Sequence, residues 1–136
     1  QPALASRCSR RSRKVLRRAG SFAAVTELRS QQDLEQALKN AGDSLVIVDY
    51  AVKLCQPCME LAPKFAHLSE LYDECAFYNV IGDSSEETKQ LMASQGVREV
   101  PSFHFFKGGE RLGVVTGAKL SSMDLIDAIE SVRWES

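Results

Sequence analysis

Apolar residues change their period several times along this chain, and the changes divide it into elements. Leu34, Ala37, Leu38 and Ala41 recur at helical spacing, with Ser30 and Asp33 as a start signal and Gly42 as a stop. SLVIVDYAV, residues 44–52, is apolar throughout except at Asp49, the pattern of a strand buried on both faces. CMELAPKFAHLSELY, residues 58–72, returns to a helical period. Met59, Leu61, Phe65, Leu68 and Leu71 are its expected apolar contacts and Pro63 its expected kink.

The second half alternates in the same way. CAFYNVI, residues 75–81, is rich in strand formers, and SSEETKQLMAS opens with Ser84 and Glu87 at capping-box spacing. SFHFF and RLGVVTG flank KGGE, where Gly108 and Gly109 suit the positive φ values of a hairpin turn. SSMDLIDAIESVRW reads as a last helix, capped by Ser121 or Ser122 and apolar at Leu125, Ile129 and Val132. With a short strand around Phe22 to Thr26, the order is βαβαβαββα. That predicts an α/β fold whose central mixed sheet has helices on both faces, parallel strands first and an antiparallel hairpin last.

Length and composition change this picture only at the N-terminus. At 136 residues the chain suits one domain. The longest aliphatic run, Leu45 to Val48, is far short of the roughly 20 residues a membrane-spanning helix needs, so no membrane partner is expected. Residues 1–26 hold seven basic residues and no acid; the remainder has ten Lys+Arg against all 18 Asp+Glu, a formal charge of −8. A body of that sign is a poor partner for nucleic acid, whose binding depends on neutralising phosphates. Residues 1–21, Arg-rich, with serines and without acids, match an organelle transit peptide, with a basic nucleic-acid or membrane arm as the competing reading. The expected division is therefore a transit-peptide-like segment over 1–21 and a folded domain over 22–136. Because the sequence opens on Gln1, a processed or truncated product is expected.

The candidate chemistry lies in KLCQPCMELAP, residues 53–63. Cys55 and Cys58, two residues apart, fit a redox dithiol, half a zinc site or simple packing. A strand ending before Cys55 and a helix starting there would put its thiol against unpaired N–H groups and the positive end of the helix dipole, which favours a thiolate. Cys58, one turn in, would be close enough to attack a mixed disulfide on Cys55, and Pro57 fits a first helical turn, where its missing N–H costs nothing. Zinc needs four ligands, and the only histidines, His67 and His104, lack finger-like spacing from the pair, so no metal and no cofactor are expected. His67 is expected on an exposed helix face and His104 within a strand. Cys8 falls in the leader and Cys75 reads as a packed core thiol. Asp49 is either a satisfied buried acid or one kept for use, since burying a carboxyl group is costly.

Around the cysteines the sequence resembles the thioredoxin superfamily over roughly residues 22–134. Asp49 stands six residues before Cys55, Pro63 five after Cys58, and VPSF, residues 100–103, matches the family's cis-proline segment. LVIVDYAVKLCQPC, IGDSSEETKQLM and VREVPSFHFFKGGERLG further resemble the C-terminal module of chloroplast drought-induced stress thioredoxin-like proteins, which carry two such modules where this sequence has one. The resemblance implies a thioredoxin fold and thiol–disulfide exchange. In it Cys55 attacks a partner disulfide, Cys58 resolves the mixed disulfide and Asp49 moves the proton of Cys58. Gln56, Pro57, Val100, Pro101 and Gly117 are the implied substrate-binding set, with the backbone of Val100 pairing with a substrate strand.

The implied partners are disulfide-bearing proteins, peroxiredoxins and methionine sulfoxide reductases among them, with a thioredoxin reductase or glutathione as electron donor in the chloroplast stroma. Departures from the common pattern are Leu54 for a tryptophan, Ala51 for another aromatic, Gln56 for a glycine, Met59 for a basic residue, and Asn79 near where a lysine often partners the buried acid. They predict a redox potential and partner choice of the protein's own. They also motivate a second reading, a non-catalytic interaction module on the same fold.

Overall fold

The computed structural model describes residues 25–134, so the leader, Cys8 and the expected strand start at Phe22 lie outside the described residues. Nine elements follow in the expected order: β1 (Val25–Glu27), α1 (Gln31–Ala41), β2 (Val46–Ala51), α2 (Gln56–Leu71), β3 (Ala76–Ile81), α3 (Glu86–Ser94), β4 (Ser102–Lys107), β5 (Glu110–Thr116) and α4 (Ser122–Val132). The strands form one sheet in the order β1-β3-β2-β4-β5. Strand β3 runs parallel to both β1 and β2, while β4 runs antiparallel to β2 and β5 antiparallel to β4.

Strand β2 is central, and all six of its residues are buried, as the unbroken apolar run requires. Its alternate side chains feed two cores. Ile47 joins Phe77, Phe103 and Phe105 beneath α2 (Leu61, Phe65, Leu68) and α4 (Leu125, Ile129, Val132). Phe65 stands edge-on to Phe77 at 5.1 Å between ring centroids and tilted to Phe103 at 5.4 Å, within the range where aromatic pairs attract. On the other face Val46, Val48 and Tyr50 pack with Val80 and Phe106 beneath α1 (Leu34, Ala37, Ala41) and α3 (Leu91).

Local signals set most boundaries. Ser30 caps α1 through the Asp33 N–H, and Gly42 ends it at φ 58°. Gly108 and Gly109 turn the hairpin at φ 62° and 82°. Ser121, not Ser122, caps α4, with Asp124 closing the box. Two expectations need correction. The α3 box is Ser85 with Thr88, not Ser84 with Glu87: the Thr88 hydroxyl accepts the Ser85 N–H, and Ser84 instead donates to the Ile81 carbonyl. Met59 and Leu71, expected as core contacts of α2, are 51% and 61% exposed, because that helix buries only the narrow stripe of Cys58, Leu61, Phe65, Leu68 and Ser69. Helix α2 continues through Pro63.

The far end of α4 is tied down by charge. The Arg133 guanidinium pairs with Glu74 and Glu130 and lies over the rings of Tyr72 and Trp134, while its carbonyl accepts from Lys107 Nζ at 2.8 Å.

Between β2 and β4 the core holds an unusual polar pair. Tyr50 and His104, 0% and 2% exposed, have ring centroids 4.7 Å apart, and neither Tyr50 Oη nor His104 Nδ1 has a hydrogen-bond partner among the described residues. A buried polar atom without a partner costs about 1–3 kcal/mol. Tyr50→Phe is therefore expected to stabilise the fold by roughly 1 kcal/mol, within that range, in urea denaturation at pH 8; a loss of similar size would show that the hydroxyl is satisfied.

Candidate active site

The loop from β2 to α2 delivers the two cysteines. Cys55 is the N-cap of α2, with extended backbone at φ −135°, and Pro57 occupies the first turn. Cys55 and Cys58 form a disulfide with their Cα atoms 5.2 Å apart. The Cys58 N–H points at Cys55 Sγ, 3.2 Å away, and the Met59 N–H bonds the Cys55 carbonyl at 3.0 Å. An anionic sulfur at position 55 would thus meet an unpaired helix N–H and the positive end of the dipole, and no acid lies in the first turn of α2 to oppose it.

The pair is shielded. Cys55 is 8% and Cys58 6% exposed, in a small cluster with Ala51 against which Val52, Ile81 and Val100 pack. Leu54, immediately before Cys55, is 95% exposed. Gln56 donates from Nε2 to Glu60 Oε2 at 3.3 Å along the outer face of α2. The Val100–Pro101 bond is cis, and Val100 packs on the cysteine cluster. The Pro101 carbonyl accepts from the Gly117 N–H and from Thr116 Oγ1, each at 3.1 Å, which fastens the end of β5 to the proline loop. Gly117 holds φ at 131°, open to glycine and strained for other residues.

Three sequence-expected residues, Cys55, Cys58 and Val100, therefore meet in one cluster, and Pro101 and Gly117 adjoin it through a hydrogen bond. The sequence reading did not single out Asp83, whose Oδ1 accepts the Lys53 N–H at 3.0 Å and ties the cysteine loop to the β3–α3 connection. An aspartate after a strand-ending glycine was the available signal. It also left out Thr116.

Asp49 is 6% exposed within β2, and its Oδ1 has no hydrogen-bond partner among the described residues. Burial pushes its carboxyl up to about 7, because a charged oxygen there has lost its water. The register explains why no cation among the described residues opposes this: Asn79 stands beside Asp49 on β3, and Glu27 stands beside Asn79 on β1. A carboxyl group poised near neutrality can take up or give up a proton at physiological pH.

With this geometry in hand, comparison with known proteins is decisive. The thioredoxin family model matches residues 25–131. The chain belongs to the thioredoxin family. A thioredoxin from Geodia cydonium is 35% identical over 88 residues, 65% of this chain and 80% of that protein. Chloroplastic thioredoxin F1 from Arabidopsis thaliana is 36% identical over 113 residues, 83% of this chain and 61% of that protein, so the chain spans about three-fifths of that relative. A chain in the crystal structure of the complex between ferredoxin:thioredoxin reductase and thioredoxin f2 matches with a TM-score of 0.74 and 33% identity, covering 82% of this chain and 97% of that one. As a thioredoxin with a closed cysteine pair, the protein is a thiol–disulfide oxidoreductase.

Two buried groups should shape its stability against pH in opposite senses. Asp49, raised from 3.8 to about 7, is protonated when folded and ionised when unfolded across that interval, so its contribution is full below 3.8 and is lost progressively as pH rises from there to about 7. His104, lowered by burial and by the nearby Arg111 from 6.5 to about 4, contributes stability that is lost as pH falls from 6.5 toward 4. The two effects, of order 4 kcal/mol for Asp49 and of order 3 kcal/mol for His104, oppose one another in the window they share. Urea denaturation from pH 4 to 8 is expected to show stability that rises with pH in Asp49→Asn and falls with pH in His104→Leu, while the wild type changes little; parallel slopes in all three would refute the assignment.

Proposed function

We propose that the protein reduces disulfides in partner proteins of the plastid stroma. The observation that carries this reading is the Cys55–Cys58 pair at the N-terminus of α2, packed against Val100, which a cis bond joins to Pro101. In the proposed cycle the Cys55 thiolate attacks one sulfur of a partner disulfide, that S–S bond breaks, and the partner's other sulfur leaves as a thiolate. Asp49 takes the proton of Cys58, whose sulfur then attacks Cys55 Sγ and releases the partner as a dithiol. Two electrons have passed to the partner, and the enzyme is left as the disulfide seen here. Gln56, Pro57, Val100, Pro101 and Gly117 frame the partner segment, with the Val100 backbone pairing as a strand would.

A separate reductant restores the dithiol. The ferredoxin:thioredoxin reductase that accompanies thioredoxin f2 supports a reductase of that kind, with glutathione as the alternative donor. Chloroplastic relatives and the basic segment 1–21 support a plastid location, with 22–136 as the mature domain. The finer likeness, to the C-terminal module of drought-induced stress proteins, favours peroxiredoxins and methionine sulfoxide reductases as partners. A second reading, a binding module that seldom cycles its cysteines, draws on exposed Leu54 and Met59, which change the surface a partner meets.

Cys55→Ser is expected to abolish reduction of insulin or peroxiredoxin disulfides, a loss of at least about a hundredfold given that the nucleophile itself is removed. Cys58→Ser should hold partners as mixed disulfides that dithiothreitol releases. Turnover unchanged in Cys55→Ser would end the enzymatic reading, and partners that stay bound to Cys58→Ser after reduction would favour the binding module.

A further inference from the structure

The connection from α3 to β4 brings Val100 to the cysteines, and strand β5 holds this connection at both ends. Near its start the Gln95 carbonyl accepts from Arg111 Nη1 at 3.1 Å. Near its finish Thr116 Oγ1 donates to the Pro101 carbonyl at 3.1 Å, with the Glu99 carbonyl as a second acceptor at 3.5 Å. These two carbonyls belong to the residues on either side of Val100. Val100 itself packs on the cysteine cluster, and its own N–H and carbonyl make no hydrogen bond among the described residues. Fixed through its neighbours and with its own peptide groups open, Val100 is presented as an edge-strand residue is, ready for an added strand. Thr116 is firmly mounted for this task. It stands opposite Ser102 in the β4–β5 ladder, so its hydroxyl is carried by the sheet and not by a loop.

We infer that Thr116 is a positioning residue for disulfide exchange, its hydroxyl setting the backbone of Val100 in the conformation with which a partner segment pairs. The inference rests on the disulfide-exchange reading above and adds to it a residue that acts through Val100. A segment ordered beforehand loses less entropy when the partner pairs with it, so the hydroxyl strengthens attachment of the partner. The sulfur chemistry, which depends on the N-cap of α2, is left as it is. When the hydroxyl is removed, the Gly117 N–H keeps its own bond to the Pro101 carbonyl. The connection is then loosened and not released, which limits the effect to the contribution of one neutral hydrogen bond.

The test compares the full chain with Thr116→Val, which keeps the β-branched shape suited to a strand, and with Thr116→Ser, which keeps the hydroxyl. Single turnovers of pre-reduced protein are followed on a disulfide-bonded peptide with several residues on each side of its cysteine, and on hydroxyethyl disulfide, which has no peptide groups to pair. Thr116→Val is expected to raise the half-saturating peptide concentration roughly two- to fivefold at an unchanged maximal rate, and to reduce hydroxyethyl disulfide as the wild type does. Thr116→Ser should match the wild type on both. Four results would overturn the inference while leaving exchange intact: a valine variant equal to wild type on the peptide, one slowed alike on both substrates, a loss confined to the maximal rate, or a serine variant as weak as valine. If the wild type does not reduce the peptide, it is the exchange reading that fails. Thr116 is then judged by titrating the same peptide and following the Val100 amide by NMR. A dissociation constant raised in Thr116→Val and not in Thr116→Ser upholds its role, and equal constants or no binding overturn it.

Discussion

Burial of β2 on both faces governs where everything else in this protein can stand. A strand with all six residues excluded from water has to be flanked on each edge and covered above and below, and β3, β4 and two pairs of helices do this. The residue after it must then leave the sheet at a fixed height. That height sets the N-cap of α2, and with it the direction in which the Cys58 N–H meets the sulfur of Cys55.

The same burial raises the proton affinity of Asp49. Asp49 is the one charged residue among the six of β2, and it sits where neither neighbouring strand offers a counter-charge, with Asn79 beside it on β3 and Phe103 on β4. Its proton affinity is therefore tuned by exclusion of water alone. Asn79 is neutral, and Glu27 beyond it pairs with Arg29 at 3.1 Å. On the opposite face His104 is held neutral by burial together with the charge of Arg111.

Much of this was legible in the sequence where the cause is local. Ser30 and Gly42 mark a helix because their side chain and backbone act within one turn, and the Gly108-Gly109 turn needs no tertiary information. The cysteine spacing and the VPSF segment located the site for the same reason. Legibility failed where a choice depended on neighbours distant in the chain. Ser84 and Ser85 are equally good caps on paper, and only the Ile81 and Gly82 carbonyls, which take up the Ser84 and Thr88 hydroxyls, separate them. Met59 and Leu71 have the right character for a core and the wrong azimuth on α2. The Tyr50–His104 pair, the row Asp49, Asn79 and Glu27, and the tether from Lys53 to Asp83 all require the strand register, which no single segment encodes.

The strand order also bears on how the chain is made. Strand β2 takes its second neighbour from β4, which ends at Lys107, some fifty residues after the cysteines have been synthesised. Until then a growing chain holds a hydrophobic strand with one bare edge, a template for pairing with other chains. A protein cut short before Lys107 keeps both cysteines but cannot close its sheet, so aggregation and degradation are the fate of such products.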